Sequence, residues 1–148
     1  MTGHDTRQEW MGLLARAPAK ALDEVWTAFG EEPAFTWLRP PETGGVMVRG
    51  RMGGTGAAFN LGEMTVTRCA LRLADGGAVG HAYVQGRDKA KARQAALVDA
   101  VMQTERAEDC RERVLTPLAA QMEAARRARA ARAAATRVEF FTMVRGED

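Results

Sequence analysis

Apolar residues recur every three or four positions at the start of the chain, alternate with polar ones in its middle, and regain helical spacing from residue 89. Thr6-Arg7-Gln8-Glu9 has the form of a capping box, and Trp10, Leu13, Leu14 and Ala17 follow on one face, predicting a helix to about Arg16. Pro18 restarts the pattern. Leu22, Val25, Trp26 and Phe29 define a second helix ended by Gly30, so residues 1–30 read as a helical hairpin with Trp10 and Trp26 as core anchors.

Pro33 breaks that spacing. Phe35 to Leu38 reads as a short strand, Pro40 to Gly45 as a turn, and Val46 to Gly50 as a second strand. Met64 to Leu73 predicts a long third strand with Thr65, Thr67, Cys69, Leu71 and Leu73 on one face and Arg68 and Arg72 on the other. Asp75-Gly76-Gly77 then signals a turn, and Val79 to Val84 a fourth strand with His81 and Tyr83 on a common face. Asp88 caps a helix expected from about Lys89 to Arg106, packing through Leu97, Val98, Val101 and Met102. Thr116-Pro117 opens another helix, which runs through Leu118, Met122 and Ala125 to near Ala135. The tract Arg137 to Arg145 holds two phenylalanines, a methionine and two valines. It reads as an extended arm that either joins this chain's own sheet or docks on a partner by strand addition or in a groove.

The predicted fold class is α+β: an N-terminal helical hairpin (1–30), an antiparallel β-meander of about four strands (34–86) packed by helices (88–135), and a C-terminal extended arm or strand (136–148). With 148 residues, 46% of them apolar, the chain suffices for a single domain with one core. Its formal net charge of +2 makes free nucleic acid a minor hypothesis. No signal-peptide core or membrane-length apolar run is legible, which points to the cytoplasm. Cys69 and Cys110 lack metal-ligand spacing and read as buried free thiols.

Candidate chemistry is concentrated between Arg49 and Lys89. Four glycines lie between Gly50 and Gly56, and Arg49, Arg51, Arg87 and Lys89 bracket two chain corners. If the strands bring those corners together, Arg51, Gly53, Gly54, Gly56, Arg87 and Lys89 could form an anion or phosphate site; otherwise the glycines serve only to turn the chain. No Gly-Lys-Ser/Thr follows Gly53-Gly54-Thr55-Gly56, so a P-loop or dinucleotide fingerprint is rejected. The chain contains no serine, a single tyrosine and two histidines, with His4 expected at a frayed end. Neither histidine has a recognised acidic partner, so no catalytic or metal-ligating residue is assigned.

Four separated motifs raise a specific resemblance: Arg7-Gln8-x-Trp10-Met11, Arg51-Met52-Gly53-Gly54-Thr55-Gly56, Val84-Gln85-Gly86-Arg87-Asp88-Lys89, and Arg137-Val138-Glu139-Phe140-Phe141-Thr142-Met143-Val144-Arg145-Gly146. Their order and spacing closely resemble the PhnG family of the bacterial carbon-phosphorus lyase system, which uses phosphonates as a phosphorus source. The resemblance implies a core complex with PhnI-, PhnH- and PhnJ-like subunits, two copies of each, joined by an ATP-binding-cassette-like subunit. It implies that the complex replaces the adenine of MgATP with a phosphonate, giving α-D-ribose 1-methylphosphonate 5-triphosphate. MgATP is then a substrate of the complex, and this subunit carries no cofactor of its own. No nucleic acid or membrane insertion is implied. Nucleosidase chemistry is attributed to PhnI and radical chemistry to PhnJ, leaving an accessory, architectural role here. Two readings stay open: a scaffold using Arg137, Val138, Phe140, Phe141, Met143, Val144 and Arg145 as partner interface, or a direct contributor of phosphate-binding groups from the glycine loop.

Overall fold

The computed structural model describes residues 4–51, 54, 56 and 58–145, the side chains of residues 51, 60, 141 and 143–145 excepted. The expected α+β architecture is realised, with helices preceding an antiparallel meander. Helices α1 (Arg7–Arg16) and α2 (Ala19–Phe29) lead into strands β1 (Phe35–Arg51), β2 (Ala58–Leu73) and β3 (Val79–Gln85), ordered β1-β2-β3 in one sheet. Helix α3 (Lys89–Val101), the short α4 (Ala107–Cys110), a π-helical turn at Arg111–Leu115 and the long α5 (Thr116–Arg145) complete the chain.

The capping box at α1 forms: Glu9 N donates to Thr6 Oγ1 at 3.2 Å, and the Thr6 hydroxyl donates to Glu9 Oε1 at 2.9 Å. His4 is buried, and its Nε2 lies 3.0 Å from Thr116 Oγ1, so the expected frayed end is pinned to the root of α5.

The segments predicted as two strands at Phe35–Leu38 and Val46–Gly50 lie on one 17-residue strand, and Pro40–Gly45 is no hairpin turn. β1 is an edge strand, where prolines leave no interior ladder bond unmade. Register shifts between Trp37 and Arg39, and again between Arg39 and Glu42, absorb one extra residue each. β2 likewise begins at Ala58 rather than Met64, and it carries Leu61 as an extra residue opposite the Val48/Arg49 step. Helix α3 ends earlier than expected, at Val101, followed by turns to Arg106.

The helices cover one face of the sheet. Thr67, Cys69, Leu71 and Leu73 of β2 point into the core, as the alternation predicts, against Leu97, Val98 and Val101 of α3. Burying each of those larger aliphatic side chains stabilises the fold by about 1.5–3 kcal/mol. Close approach of α3 depends on Gly80, where an added Cβ would lie 1.9 Å from the Ala96 carbonyl oxygen. Trp10 and Trp26 are both buried in the same core.

The C-terminal tract is neither strand nor extended arm. α5 continues without a break through Arg145, a 30-residue helix about 45 Å long. Alanine and arginine have high helix propensity, and Arg137–Arg145 contains no glycine or proline to stop propagation.

Candidate functional site

The glycine loop sits at the tip of the β1–β2 hairpin, where Arg51 pairs with Ala58. Gly54 has φ +81°, a backbone conformation that a side chain strains. Gly56 is also described; Gly53 and the Arg51 side chain lie outside the described portion. The second corner is built where β3 meets α3. Gly86, at φ +91°, donates its N-H to the Thr65 carbonyl at 2.9 Å and accepts from Thr67 Oγ1 at 2.7 Å.

Those bonds place the second corner beside Thr65, seven positions along β2 from Ala58. The strand path between the two corners is about 23 Å. Within one chain, then, Arg51 and Gly54 are not brought together with Arg87 and Lys89. Arg87 and Lys89 are exposed and make no side-chain hydrogen bond or ion pair among the described residues. The neighbouring helix N-terminus is already occupied, because Asp88 Oδ1 accepts from Lys91 N at 2.9 Å. Lys91 is turned inward, its Nζ donating to the Ala15 carbonyl at 3.0 Å, and desolvation by burial lowers its pKa.

Between the two corners the hairpin leaves the body of the molecule. β3 stops at Gln85, opposite Val66, while β1 and β2 continue as a two-stranded ribbon from Gly45↔Thr65 to Arg51↔Ala58. Met47 (57% exposed), Phe59 (42%) and Leu61 (62%) are uncovered on it. A two-stranded ribbon buries little apolar surface of its own, which makes the exposed apolar residues there a candidate contact surface.

The second projection is α5. Leu118 is fully buried and Met122 half-buried, but every residue from 124 to 140 is exposed. Val138 and Phe140 are each 64% exposed, with Arg137 beside them; Phe141, Met143, Val144 and Arg145 share the helix, their side chains outside the described portion. At the root of the arm, Glu123 accepts from Arg126 at 2.8 Å and from Arg127 at 3.1 Å, which holds its carboxyl down at about 2.

A node unnoticed in the sequence joins α1, α3 and β3. Asp99 is fully buried and accepts from Arg7 Nε (3.1 Å), Arg7 Nη2 (2.9 Å), Trp10 Nε1 (2.9 Å) and the backbone N-H of His81 (2.9 Å). The last bond satisfies one amide on the outer edge of β3. The i,i+3 spacing of Arg7 and Trp10 was the available signal, but the acid lies about ninety positions away. The motif Arg7-Gln8-x-Trp10 is thus explained by architecture. On the opposite sheet face, Arg39, Arg68, His81 and Tyr83 line an open groove of about 620 Å³.

Both cysteines are free and buried. Burial pushes the Cys69 thiol up to about 11 and the Cys110 thiol up to about 12, which leaves neither as a thiolate nucleophile near neutrality. Among the described residues, no group of three or more His, Cys, Asp or Glu side chains is placed to hold a metal, and no helix is long and apolar enough to cross a membrane.

Comparison with known proteins adds two findings. The family described as "Phosphonate metabolism protein PhnG" matches residues 5–146. The chain is also 49% identical over 142 residues to the alpha-D-ribose 1-methylphosphonate 5-triphosphate synthase subunit PhnG of Rhizobium meliloti (strain 1021), an alignment that covers 96% of this chain and 90% of that protein.

Proposed function

Because this chain belongs to the PhnG family of phosphonate metabolism, we propose that it is an architectural, non-catalytic subunit of an α-D-ribose 1-methylphosphonate 5-triphosphate synthase complex. Its partners are PhnI-, PhnH- and PhnJ-like subunits, two copies of each, with an ATP-binding-cassette-like subunit. The complex exchanges the adenine of MgATP for a phosphonate, and the bond-making groups belong to the partners. This subunit holds no cofactor of its own and works in the cytoplasm.

One observation carries the reading: two elements leave the body and present Met47, Phe59, Leu61, Val138 and Phe140 to solvent. Leu38 and Tyr83 are exposed on the body as well, but the most exposed large apolar residues lie on the two projections, and such residues are what a subunit buries against neighbours on assembly. The glycine loop at the ribbon tip and the Arg87/Lys89 corner, separated along the strand, then meet different parts of the assembly. A phosphate site built from either would be completed by a partner's groups.

The test is co-expression with the PhnI-, PhnH- and PhnJ-like subunits, affinity capture through this chain and mass determination of what elutes. A defined hetero-oligomer is expected, and deletion of Arg137 to Asp148 is expected to prevent its formation. Recovery of this chain only as a monomer or homodimer would overturn the reading.

A further inference from the structure

The face of the sheet that the helices leave uncovered carries a concentration of charge to which the architectural role assigns no task. The alternation that sends Cys69 and Leu71 into the core sends Arg68, Ala70 and Arg72 outward, and residues paired across strands share a face. Two neighbouring rows therefore cross all three strands there. One is Arg39, Ala70 and His81; the other, about 7 Å along β2, is Glu42, Arg68 and Tyr83.

The centre of the first row is a single methyl group between two longer side chains, which leaves a hollow. Ala70, only 9% exposed, forms its floor. Arg39, Arg68, His81 and Tyr83 stand round it with Leu38 and Met11, in the groove of about 620 Å³. A space of that size suits a small molecule. Its cations are poorly neutralised. Arg39 makes no ion pair among the described residues, and Arg68 meets only Glu42, at 3.8 Å, with both side chains more than half exposed. An exposed pair at that distance is beyond hydrogen-bond reach and holds little. Tyr83 and Leu38, each 48% exposed, add an aromatic and an aliphatic surface to the same groove.

We infer that this hollow binds a small organic phosphate, with the dianionic head on Arg39 and Arg68 and an aromatic body against Tyr83 and Leu38. Neither guanidinium loses its charge near neutrality, and the guanidinium fork matches the oxygens of such a head, so the ligand is an anion. A dianion is favoured over a single carboxylate because two fixed positive charges face one weakly held acid. The inference goes beyond the architectural role: it gives this chain a ligand of its own, at residues separate from both glycine corners.

The test is isothermal titration of the full chain, without partner subunits, using phenyl phosphate and inorganic phosphate as probes. Saturable binding of phenyl phosphate at one site is expected, with inorganic phosphate weaker by about fivefold or more. Arg39→Ala/Arg68→Ala is expected to weaken phenyl phosphate about tenfold or more, and Ala70→Met, which fills the hollow and keeps every charge, to do the same. Glu42→Gln removes the competing acid and is expected to tighten binding about two- to threefold. Arg72→Ala, on the same face but outside the groove, is expected to keep the affinity within about twofold. Arg39, Arg68, Glu42 and Arg72 are all exposed, so their variants are expected to unfold thermally like wild type. Absence of saturable binding to wild type overturns the inference, as does equal affinity for the two probes. Equal losses in Arg72→Ala and in Arg39→Ala/Arg68→Ala overturn it too, since net charge alone would then explain the binding. Because no partner is present, each of these outcomes leaves the subunit reading standing.

Discussion

Asp99 shows how one side chain can organise three elements. Its carboxylate has no solvent contact, and its four bonds tie the first turn of α1, the indole of Trp10 and the edge of β3 to α3. Asp99→Ala strands the Trp10 indole N-H and the His81 amide, and is expected to destabilise the chain by about 3 kcal/mol in urea unfolding. A change below about 0.5 kcal/mol would show those donors to be satisfied some other way. The thiols make a second residue-scale prediction. Burial raises Cys69 from 9.0 to about 11, so the folded chain keeps a proton that the unfolded chain releases. That contribution is complete below pH 9 and is lost as the pH rises from there through 11. Between those pH values the stability of Cys69→Ala is expected to fall less than that of wild type, by up to about 2 kcal/mol. Parallel declines in the two proteins would mean that Cys69 titrates normally.

At the scale of elements, α5 and the β1–β2 ribbon share a design in which one end is anchored and the other uncovered. The anchored part of α5 is secured by Leu118, buried completely, and by the contact of Thr116 with His4. The distal part, exposed from residue 124 to 140, is held by its own backbone bonds, by high-propensity residues and by the Thr136 and Thr142 hydroxyls, which donate to the Arg132 and Val138 carbonyls. Ala131→Pro removes an intrahelical bond there and breaks the arm. Because Ala131 is exposed and far from the core, the variant is expected to leave thermal unfolding of the body within about 2 °C of wild type while abolishing capture of partner subunits. Unimpaired capture would shift the docking role to the ribbon. The ribbon differs in that its strands pair along its length, Leu61 apart, but its faces are not covered, since β3 stops at Gln85.

At the scale of the whole molecule, residues 1–123 carry a net charge of −1 and the arm of residues 124–140 one of +4, and the isolated chain keeps that arm and an apolar ribbon in water. Phe59→Ser with Leu61→Ser is expected to raise the solubility limit of the isolated chain several-fold, with little change in its unfolding midpoint, and to weaken capture of partners. Lower solubility, or a large loss of stability, would mean that these residues pack within the chain. Much of this molecule was legible in advance. Trp10, Leu13 and Leu14 and the capping box marked α1, and Leu22 to Phe29 marked α2. The alternation Thr67-Cys69-Leu71-Leu73 named the buried face of β2. Such signals are local: periodicity and caps act within a few residues, so the order of residues alone determined the elements, the core faces and the α+β class. The pairing of distant segments did not follow from them. Pro40 and Pro41 read as a turn, and only their place on an edge strand opposite bulges let β1 run on. The apolar tail read as an extended arm, yet propagation from the alanine tract carried it into α5. Tertiary structure likewise decided that Asp99 meets Arg7 and Trp10 and that the two glycine corners stand apart, because register and packing join residues that sequence separation does not relate.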